Sequence, residues 1–414
     1  MLKELAKIKV KDYGTVFILA LTLVFFLVSA FLNYKAEGNE EYALLSKSFL
    51  DGKLYLYEPR LDSVLYNDHY YWHLGPFPAV ALMPLTFIWK ILFNQVFRQG
   101  FLYIIITFGI FTFSYWLAKK FKYSFNDSLY LAFAFCFASV YQFVAFIPWS
   151  WYFGQAITTL LLFFSIHEYF TKKRYLLIGI YLGFVLLSRY TAVFCVLFYL
   201  LAIIQENKND IKSAGKKLFK LCTPILIAGL LLMWYNYERF ENPLNSGYAD
   251  SNNWLYSEEE RYEQINYGLF QLRNIPTNFF YYFLNGVQPI RQDIKSLMGT
   301  TYMLKTPYVT VSYPGTSLFV VAPIFLYVFK NKFKSSISKK ALIPVLVITF
   351  ILLTYYWPGW RQIGPRYTLD FAPFLYLILL EAFENRKLTK LAKYVIVISS
   401  LYDYFFFLHI FNLY

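Results

Sequence analysis

Charged residues are scarce in this sequence of 414 residues: they make up 15% of it, against about a quarter of an average soluble domain. Hydrophobic residues make up 58% and aromatic residues 22%, which is more apolar surface than a water-soluble fold can cover. The shortage of charge excludes disordered and coiled-coil chains, since both need many charged residues. The composition therefore indicates a polytopic membrane protein.

Cysteines and nucleotide motifs are also lacking. The three cysteines lie in apolar stretches without C-x-x-C spacing, which excludes a disulfide framework and a thiolate metal site. The sequence contains no G-x-x-x-x-G-K-[ST], G-x-G-x-x-G, H-E-x-x-H or D-x-D, so a nucleotide-driven pump, a zinc protease and direct use of a nucleotide sugar have no support. His69 and His73 do not form a convincing ligand pair, because Tyr-Tyr-Trp separates them and a proline follows. No cofactor is predicted with certainty, and a divalent metal is left open.

The net charge of +14 does not indicate a nucleic-acid partner, because the basic residues are not gathered on one domain. Six short clusters between apolar stretches hold 24 of the 39 Lys and Arg, as the positive-inside rule predicts for cytoplasmic connections. This places the chain in a cytoplasmic (inner or plasma) membrane. The clusters are residues 3–11, 119–122, 172–174, 208–220, 330–340 and 386–393.

The apolar stretches predict the membrane spans. The first stretch is longer than the apolar core of a signal peptide, so we expect an uncleaved span. The fold class is an all-α multi-pass integral membrane protein, a bundle of about 11 transmembrane helices with interfacial helices on its outer face. The stretches are 16–32, 101–118, 129–147, 156–170, 175–204, 221–235, 317–329, 342–357, 371–380 and 393–413.

Two segments are ambiguous. If 76–93 crossed the membrane, all later basic clusters would lie outside, so we expect it to dip or to lie at the outer surface. Segment 175–204 has basic clusters on both sides, so it should cross twice, as two short helices that turn at Ser188 and Arg189.

The predicted organisation has five parts. A second outer loop should be irregular, with an amphipathic helix that starts at Ser257, because Ser257 and Glu260 have capping-box spacing. The parts are the N-terminal tail and first span (1–33), the first outer loop with its interfacial helices and re-entrant segment (34–95), the transmembrane bundle (96–238), the second outer loop (239–316) and the C-terminal spans (317–414).

The first outer loop contains an amphipathic segment, 41–50, which predicts a helix lying along the membrane surface. It would hold carboxylates at headgroup level. A carboxylate beside apolar surface has a raised pKa and can act as a general base. The alternative is that these acids form only the solvated face of that helix.

The first outer loop and three later stretches contain a series of motifs. An acidic cluster after the first span is followed by Y-A-x-x-x-K-x-F-L-D-G-K-L-Y-L, then by D-x-x-x-Y-N-x-x-Y-Y and the Pro-rich F-P-A-V-A-L-M-P. The three later stretches are 187–192, 242–248 and 363–373. Together these motifs resemble the GT-C glycosyltransferases that use polyprenyl-phosphate sugars, and the resemblance covers nearly the whole chain through loose motifs.

The resemblance implies transfer of a sugar from a polyprenyl-phosphate donor to a lipid, glycan or protein acceptor at the outer face, with an acid of the first loop as base. Where aminoarabinose and O-mannosyl transferases have the catalytic Asp, this sequence has Gly38. The base would then be Glu40 or Asp62, with Glu37 and Glu41 as competitors, and the sequence leaves the choice open.

Such a reaction needs cations for the phosphate, and arginine suits it because its planar fork binds two oxygens. Arg189, Arg361 and Arg366 lie at predicted outer ends of spans. For the last two, snorkelling to lipid headgroups is an equal alternative. Asp370, four residues after Arg366, is expected to orient that arginine.

Three further features leave alternatives. Tyr71 lies in an aromatic run that could stack on a sugar, although such runs more often form interface belts.

Asp403 lies near the middle of the last span, where a charged residue marks a site. The alternative is that the Asp403 side chain is neutral and bonded to Ser399, Ser400 or Tyr404. A transporter or lipid-linked glycan flippase is the main rival function, and a catalytically silent scaffold is a third.

Overall fold

The structure is a computed structural model that describes residues 12–36, 38–259, 261–296 and 299–410. Most of these residues are helical. The helices of the first half are α1 (Tyr13–Lys35), α2 (Glu41–Leu50), α3 (Phe77–Phe93), α4 (Gln99–Lys120), α5 (Phe125–Phe137), α6 (Val140–Phe146), α7 (Ser150–Phe170), α8 (Tyr175–Leu186), α9 (Val196–Glu206) and α10 (Ile211–Phe240). Those of the second half are α11 (Tyr262–Tyr267), α12 (Ile275–Phe279), α13 (Leu318–Val321), α14 (Ser336–Thr354), α15 (Ala372–Ala382) and α16 (Lys390–Ile410).

In the described part of the chain, five helices are long and apolar enough to cross a membrane: α1, α4, α10, α14 and α16. Helices α5 and α6, bent by 67° at their junction, form a sixth span if they are taken together. Shorter apolar helices include α3, α8 and α15. The multi-pass helical bundle is thus confirmed, while the number of about 11 crossings stays a prediction.

The break predicted in 175–204 is present. Helix α8 ends at Leu186, and a 3₁₀ turn, Thr191–Cys195, leads into α9. Gly75 lies against this break, where a side chain would collide with the Leu187 carbonyl, and the Phe77 N–H donates to that carbonyl at 3.0 Å. The first loop is therefore fastened to the turn that contains Arg189.

Two β-hairpins were not predicted. Strands β1 (Ser63–Tyr66) and β2 (His69–Trp72) pair antiparallel around Asn67 and Asp68, both of which have positive φ, as a tight two-residue hairpin turn requires. Strands β3 (Gln288–Ser296) and β4 (Gly299–Thr310) form the second hairpin in the loop that was expected to be irregular. The helix expected to start at Ser257 begins at Tyr262, and Glu260 of its capping box lies outside the described residues.

Helix α15 lies at the centre of the bundle. Ten of its 11 residues are buried, as expected for a helix that is apolar all round. The Tyr376 ring packs 5.5 Å from Phe135 of α5 and 6.3 Å from Phe163 of α7, centroid to centroid. A 3₁₀ turn, Arg366–Asp370, precedes α15, so this packing fixes the position of two charged residues at its start.

Candidate active site

Arg189 and Asp370 form a buried ion pair where the α8 break meets the turn before α15. Arg189 Nε lies 2.6 Å from Asp370 Oδ1, and Nη2 lies 3.1 Å from Oδ2. The Thr191 hydroxyl also donates to the Asp370 carboxylate. Asp370 is completely buried, so these bonds hold the guanidinium in one orientation. Arg189 Nη1 has no hydrogen-bond partner among the described residues.

Arg366 is the second buried arginine of this region. Its Nη1 donates to the Trp360 carbonyl at 2.9 Å, and no carboxylate of the described residues lies within ion-pair distance. The Tyr367 ring centroid lies 5.2 Å from the Arg366 guanidinium carbon and 5.3 Å from that of Arg189. The two guanidinium groups thus share one aromatic ring, but Asp370 pairs with Arg189 alone, so the charge of Arg366 has no counter-charge among the described residues.

A cavity of about 190 Å³ lies beside Arg189. Its lining includes Arg189 and the hydroxyl-bearing Tyr248 and Tyr367, together with the apolar side chains of Leu269 and Leu352, whereas Arg366 does not line it. The cavity thus offers one guanidinium group, hydroxyl groups and hydrocarbon surface within the same space.

Glu41 is the most deeply buried acid of the first loop. It begins α2 with no exposed surface, and neither carboxylate oxygen has a hydrogen-bond partner among the described residues. Burial raises the pKa of Glu41 to about 7, although the neighbouring Ser150 hydroxyl offsets part of the effect. That hydroxyl donates its proton to the Asn39 carbonyl at 3.1 Å. The charge of Asp62 raises the Glu41 pKa further.

Glu40 precedes α2, and its negative charge is better compensated than that of Glu41. Burial raises its pKa to about 7, and the Arg98 guanidinium and the N–H groups of Gln99 and Gly100 lower it in part. Arg98 Nε lies 3.7 Å from Glu40 Oε1. Glu40 therefore has a cation and the start of α4 as partners, which Glu41 does not have.

Asp62 has a different environment. Its backbone has a φ of 63°, and Asn252 clamps it through two hydrogen bonds of 2.6 Å, one to the Asp62 N–H and one to its carboxylate. The Asp62 carbonyl lies 2.6 Å from His73 Nδ1, and the His73 ring meets Tyr248 edge-on at 4.4 Å between centroids. His73 thus connects Asp62 of the first loop with Tyr248, which lines the cavity.

Sequence reasoning missed two residues of this site. His73 is buried, which lowers its pKa, while the nearby Asp62 charge opposes the shift. Arg239, at the end of α10, is also buried and donates to the Trp72 carbonyl at 2.6 Å and to Asn236 Oδ1 at 2.7 Å. Arg239 follows a long apolar stretch of the sequence, and this position was the available indication that it belongs to the site.

Comparison with known proteins shows the fold. No family model and no curated protein match the sequence. Among solved structures, ArnT from Cupriavidus metallidurans, bound to undecaprenyl phosphate, matches 92% of this chain with a TM-score of 0.50 and 12% identity. The chain shares the fold of ArnT. It spans 62% of the length of ArnT.

Two archaeal structures with the GT-C fold also match. The Archaeoglobus fulgidus oligosaccharyltransferase in its apo form has a TM-score of 0.40 and 12% identity over 93% of this chain and 55% of its own. The AglB oligosaccharyltransferase from the same organism, in complex with an inhibitory peptide and a dolichol-phosphate, has a TM-score of 0.39 and 14% identity over 97% and 55%.

The role expected of Asp370 is wrong in one respect: it pairs with Arg189 and not with Arg366. The reason is the 3₁₀ geometry of the Arg366–Asp370 turn. With about three residues per turn, side chains four apart point about 120° away from each other, whereas in an α-helix they would be neighbours.

Two other expected binding residues lie apart from the arginine pair. Arg361 is exposed and has a φ of 47°, and its carbonyl, not its side chain, meets the site by accepting from the Tyr152 hydroxyl at 2.7 Å. Tyr71 is 8% exposed and packs edge-on against Phe240, so it is a core residue of the hairpin and not an open stacking surface.

The remaining expectations have mixed outcomes. Helix α2 has the predicted bounds, but Glu41 is not on a solvated face. Glu37 lies outside the described residues.

Asp403 is buried, and its carboxylate has no hydrogen-bond partner in the described part of the chain, since Ser399 and Ser400 donate to the Val395 and Val397 carbonyls. The described residues contain no group of three His, Cys, Asp or Glu that could hold a metal, so the divalent metal has no donor set there.

Proposed function

We propose that this protein is a membrane glycosyltransferase that transfers a sugar from a polyprenyl-phosphate donor to an acceptor at the outer face of the membrane. The observation that supports this most is the arrangement of Arg189 and Arg366, two buried guanidinium groups for which Asp370 is the one carboxylate partner among the described residues. An uncompensated buried cation is costly unless an anion binds beside it. The ArnT structure, which has the same fold, was solved with undecaprenyl phosphate bound.

The cavity suits both parts of such a donor. A phosphate can accept hydrogen bonds from Arg189 Nη1 and from the tyrosine hydroxyl groups of the lining, and arginine binds phosphate with a matching planar fork. The apolar side chains of the lining, Leu269 and Leu352 among them, can contact the first isoprene units. A site for a free hydrophilic sugar would not need these apolar side chains.

The transfer step follows from these groups. The acceptor oxygen forms a bond to the anomeric carbon while the bond from that carbon to the phosphate oxygen breaks. The bonding electron pair leaves with the phosphate, where Arg189 and Arg366 stabilise the added charge. A first-loop carboxylate takes the acceptor proton, and polyprenyl phosphate is released.

Glu41 is the base we favour. A group with a pKa of about 7 is about half ionised at neutral pH, so it can both take and release a proton there, which is what general base catalysis requires. Glu40 is the second candidate, with Arg98 already paired to it, and Asp62 is the third, held by Asn252. Glu37 stays a further candidate.

The test is sugar transfer by the purified full-length protein, with a panel of labelled hexosyl and pentosyl polyprenyl phosphates and glycan, lipid and peptide acceptors. We expect at least one donor to support turnover. Arg366→Gln should then lose about 10- to 100-fold in kcat/KM, as removal of one charged phosphate contact costs about 1.5–3 kcal/mol. Arg361→Gln is the matched control and should stay within about twofold.

A different result would favour the rival function. If no donor supports transfer, yet the protein moves a labelled lipid-linked glycan across liposomes, the flippase interpretation replaces the transferase. Equal losses in Arg366→Gln and Arg361→Gln would show that the buried arginine pair has no special role.

A further inference from the structure

A second cavity lies at the other end of α8, away from Arg189. It has a volume of about 550 Å³ and lies between the 171–173 turn, the end of α9 and the start of α14. We name it the lysine pocket, after Lys172, Lys173 and Lys340 in its lining. The 12 residues of α8 separate it from the Arg189 turn by about 18 Å, so it is not part of the candidate active site.

The one acid of the lysine pocket is already occupied. Lys173 Nζ lies 2.8 and 2.9 Å from the two Glu206 carboxylate oxygens, and the Tyr169 hydroxyl donates to Glu206 at 2.9 Å. The Glu206 charge is therefore compensated within the pocket, and Lys172 and Lys340 keep a net charge of two.

Lys340 is the unusual member of this set. It is 8% exposed, and its ammonium group has no ion pair or hydrogen bond with any described residue. Lysines at such burial almost always have a partner. Because Lys340 lines the pocket, an anion bound there would supply the missing counter-charge.

The start of α14 adds to this positive field. Ser335 caps the helix, and its hydroxyl accepts from the Ser338 N–H at 3.0 Å. The N–H groups of Ser336 and Ile337, both in the pocket lining, have no acceptor among the described residues. The first turn of a helix of 19 residues attracts anions, and Lys340 lies one turn further along. Glu381 accepts from the Ser335 and Ser338 hydroxyls at this helix start but does not line the pocket, so the Ser336 and Ile337 N–H groups are the ones left for a ligand there.

We propose that the lysine pocket binds a phosphate group, carried by an anionic membrane lipid or present as free phosphate. Lys340, Lys172 and the first turn of α14 would converge on it. The pocket belongs to the end of the bundle where the sequence predicts cytoplasmic connections, and basic pockets between spans at that surface suit lipid headgroups. The proposal does not depend on the transferase activity.

The experiment measures lipid binding to the purified full-length protein by native mass spectrometry. Phosphatidylglycerol, an anionic lipid, and phosphatidylcholine, a zwitterionic one, are compared, and inorganic phosphate is added as competitor. We expect a preference for phosphatidylglycerol, and at least tenfold weaker binding to Lys340→Gln. Lys339→Gln is the matched control, because Lys339 is exposed on the same helix outside the pocket.

The outcomes distinguish a lipid headgroup from free phosphate as the source of the bound phosphate group. Preference for the anionic lipid identifies a headgroup, whereas phosphate binding that is sensitive to Lys340 without lipid preference identifies free phosphate. If Lys340→Gln does not fold, Lys172→Gln, an exposed position in the turn, should weaken the same binding about threefold or more. Equal binding to wild type, Lys340→Gln and Lys172→Gln, or an equal loss in Lys339→Gln, would overturn the proposal.

Discussion

Two buried carboxylates at the same end of the bundle have opposite surroundings. Asp370 receives a bidentate pair of bonds from Arg189 and another from Thr191. Glu41 is equally buried, and no donor in the described part of the chain bonds to its oxygens.

The difference separates two functions of a buried acid. A carboxylate paired in this way serves to orient the cation beside it. A carboxylate without a partner has a raised pKa and holds a proton near neutral pH, so its use is to exchange that proton. The four predictions below test this comparison, beginning with the largest expected effect.

Replacing Glu41 by Gln should have the largest effect on turnover. The amide keeps the shape of the side chain but cannot take a proton, so kcat should fall about 100- to 10,000-fold while donor binding stays within about twofold. Single-turnover sugar transfer and donor binding, measured on the same preparation, separate the two quantities.

Glu40→Gln and Asp62→Asn are the matched controls for that change. Both remove a carboxylate from the same loop, but from one paired with Arg98 or held by Asn252. We expect each to keep more than about a tenth of the wild-type turnover. If one of them loses turnover and Glu41→Gln does not, the base is that residue and burial without a partner was the wrong criterion.

Asp370→Ala should destabilise the protein strongly, because it leaves the Arg189 guanidinium buried without its counter-charge. Breaking a buried pair from one side costs about 3–5 kcal/mol. The double variant Arg189→Gln with Asp370→Asn should recover much of the melting temperature but none of the transfer activity. Recovery of both would show that the pair only supports the fold.

Sequence reasoning predicted the elements whose signal is local. The first span, the bounds of α2 and the break between α8 and α9 follow from apolar runs, amphipathic spacing and basic flanks, and all three are present. Arg189 was placed at the break for the same reason.

The partners of the site residues could not be predicted in this way. The Arg189–Asp370 pair joins positions 181 residues apart, and only the packing of α15 in the bundle centre brings them together. The burial of Glu41 likewise depends on what covers α2, which the amphipathic pattern of α2 does not specify. The exposure of Arg361 and the packing of Tyr71 depend on local turns of the loops.

The pH dependence of stability should come from Glu41 as well. Its folded pKa of about 7 lies above the model-peptide value of 4.5, so between these values the folded state binds more protons than the unfolded state. Stability therefore falls as pH rises through this window, by on the order of 3 kcal/mol for a shift of this size. Melting temperature measured from pH 5 to 8 should decline in wild type.

Glu41→Gln removes this contribution, so its melting curve should depend less on pH and should lie above that of wild type at pH 8. Glu40, whose pKa is also raised to about 7, remains in the variant, so its part of the pH dependence should remain as well. Parallel slopes for the two proteins would mean that Glu41 ionises in the folded state as easily as in the unfolded chain.

The smallest expected effect concerns how Asp62 differs from both buried acids. Asn252 holds its backbone and its carboxylate at once, and Asn253 and Trp254 bond to Leu65 and Ser63 beside it. Asn252→Ala should therefore cost about 1–2 kcal/mol of stability, since it removes hydrogen bonds in a partly buried site. Because the neighbouring contacts remain, kcat should fall by less than about fivefold. If turnover falls as far as in Glu41→Gln, then Asn252 positions Asp62 for a direct role in the transfer step. A carboxylate with a hydrogen-bond partner could then serve as the base.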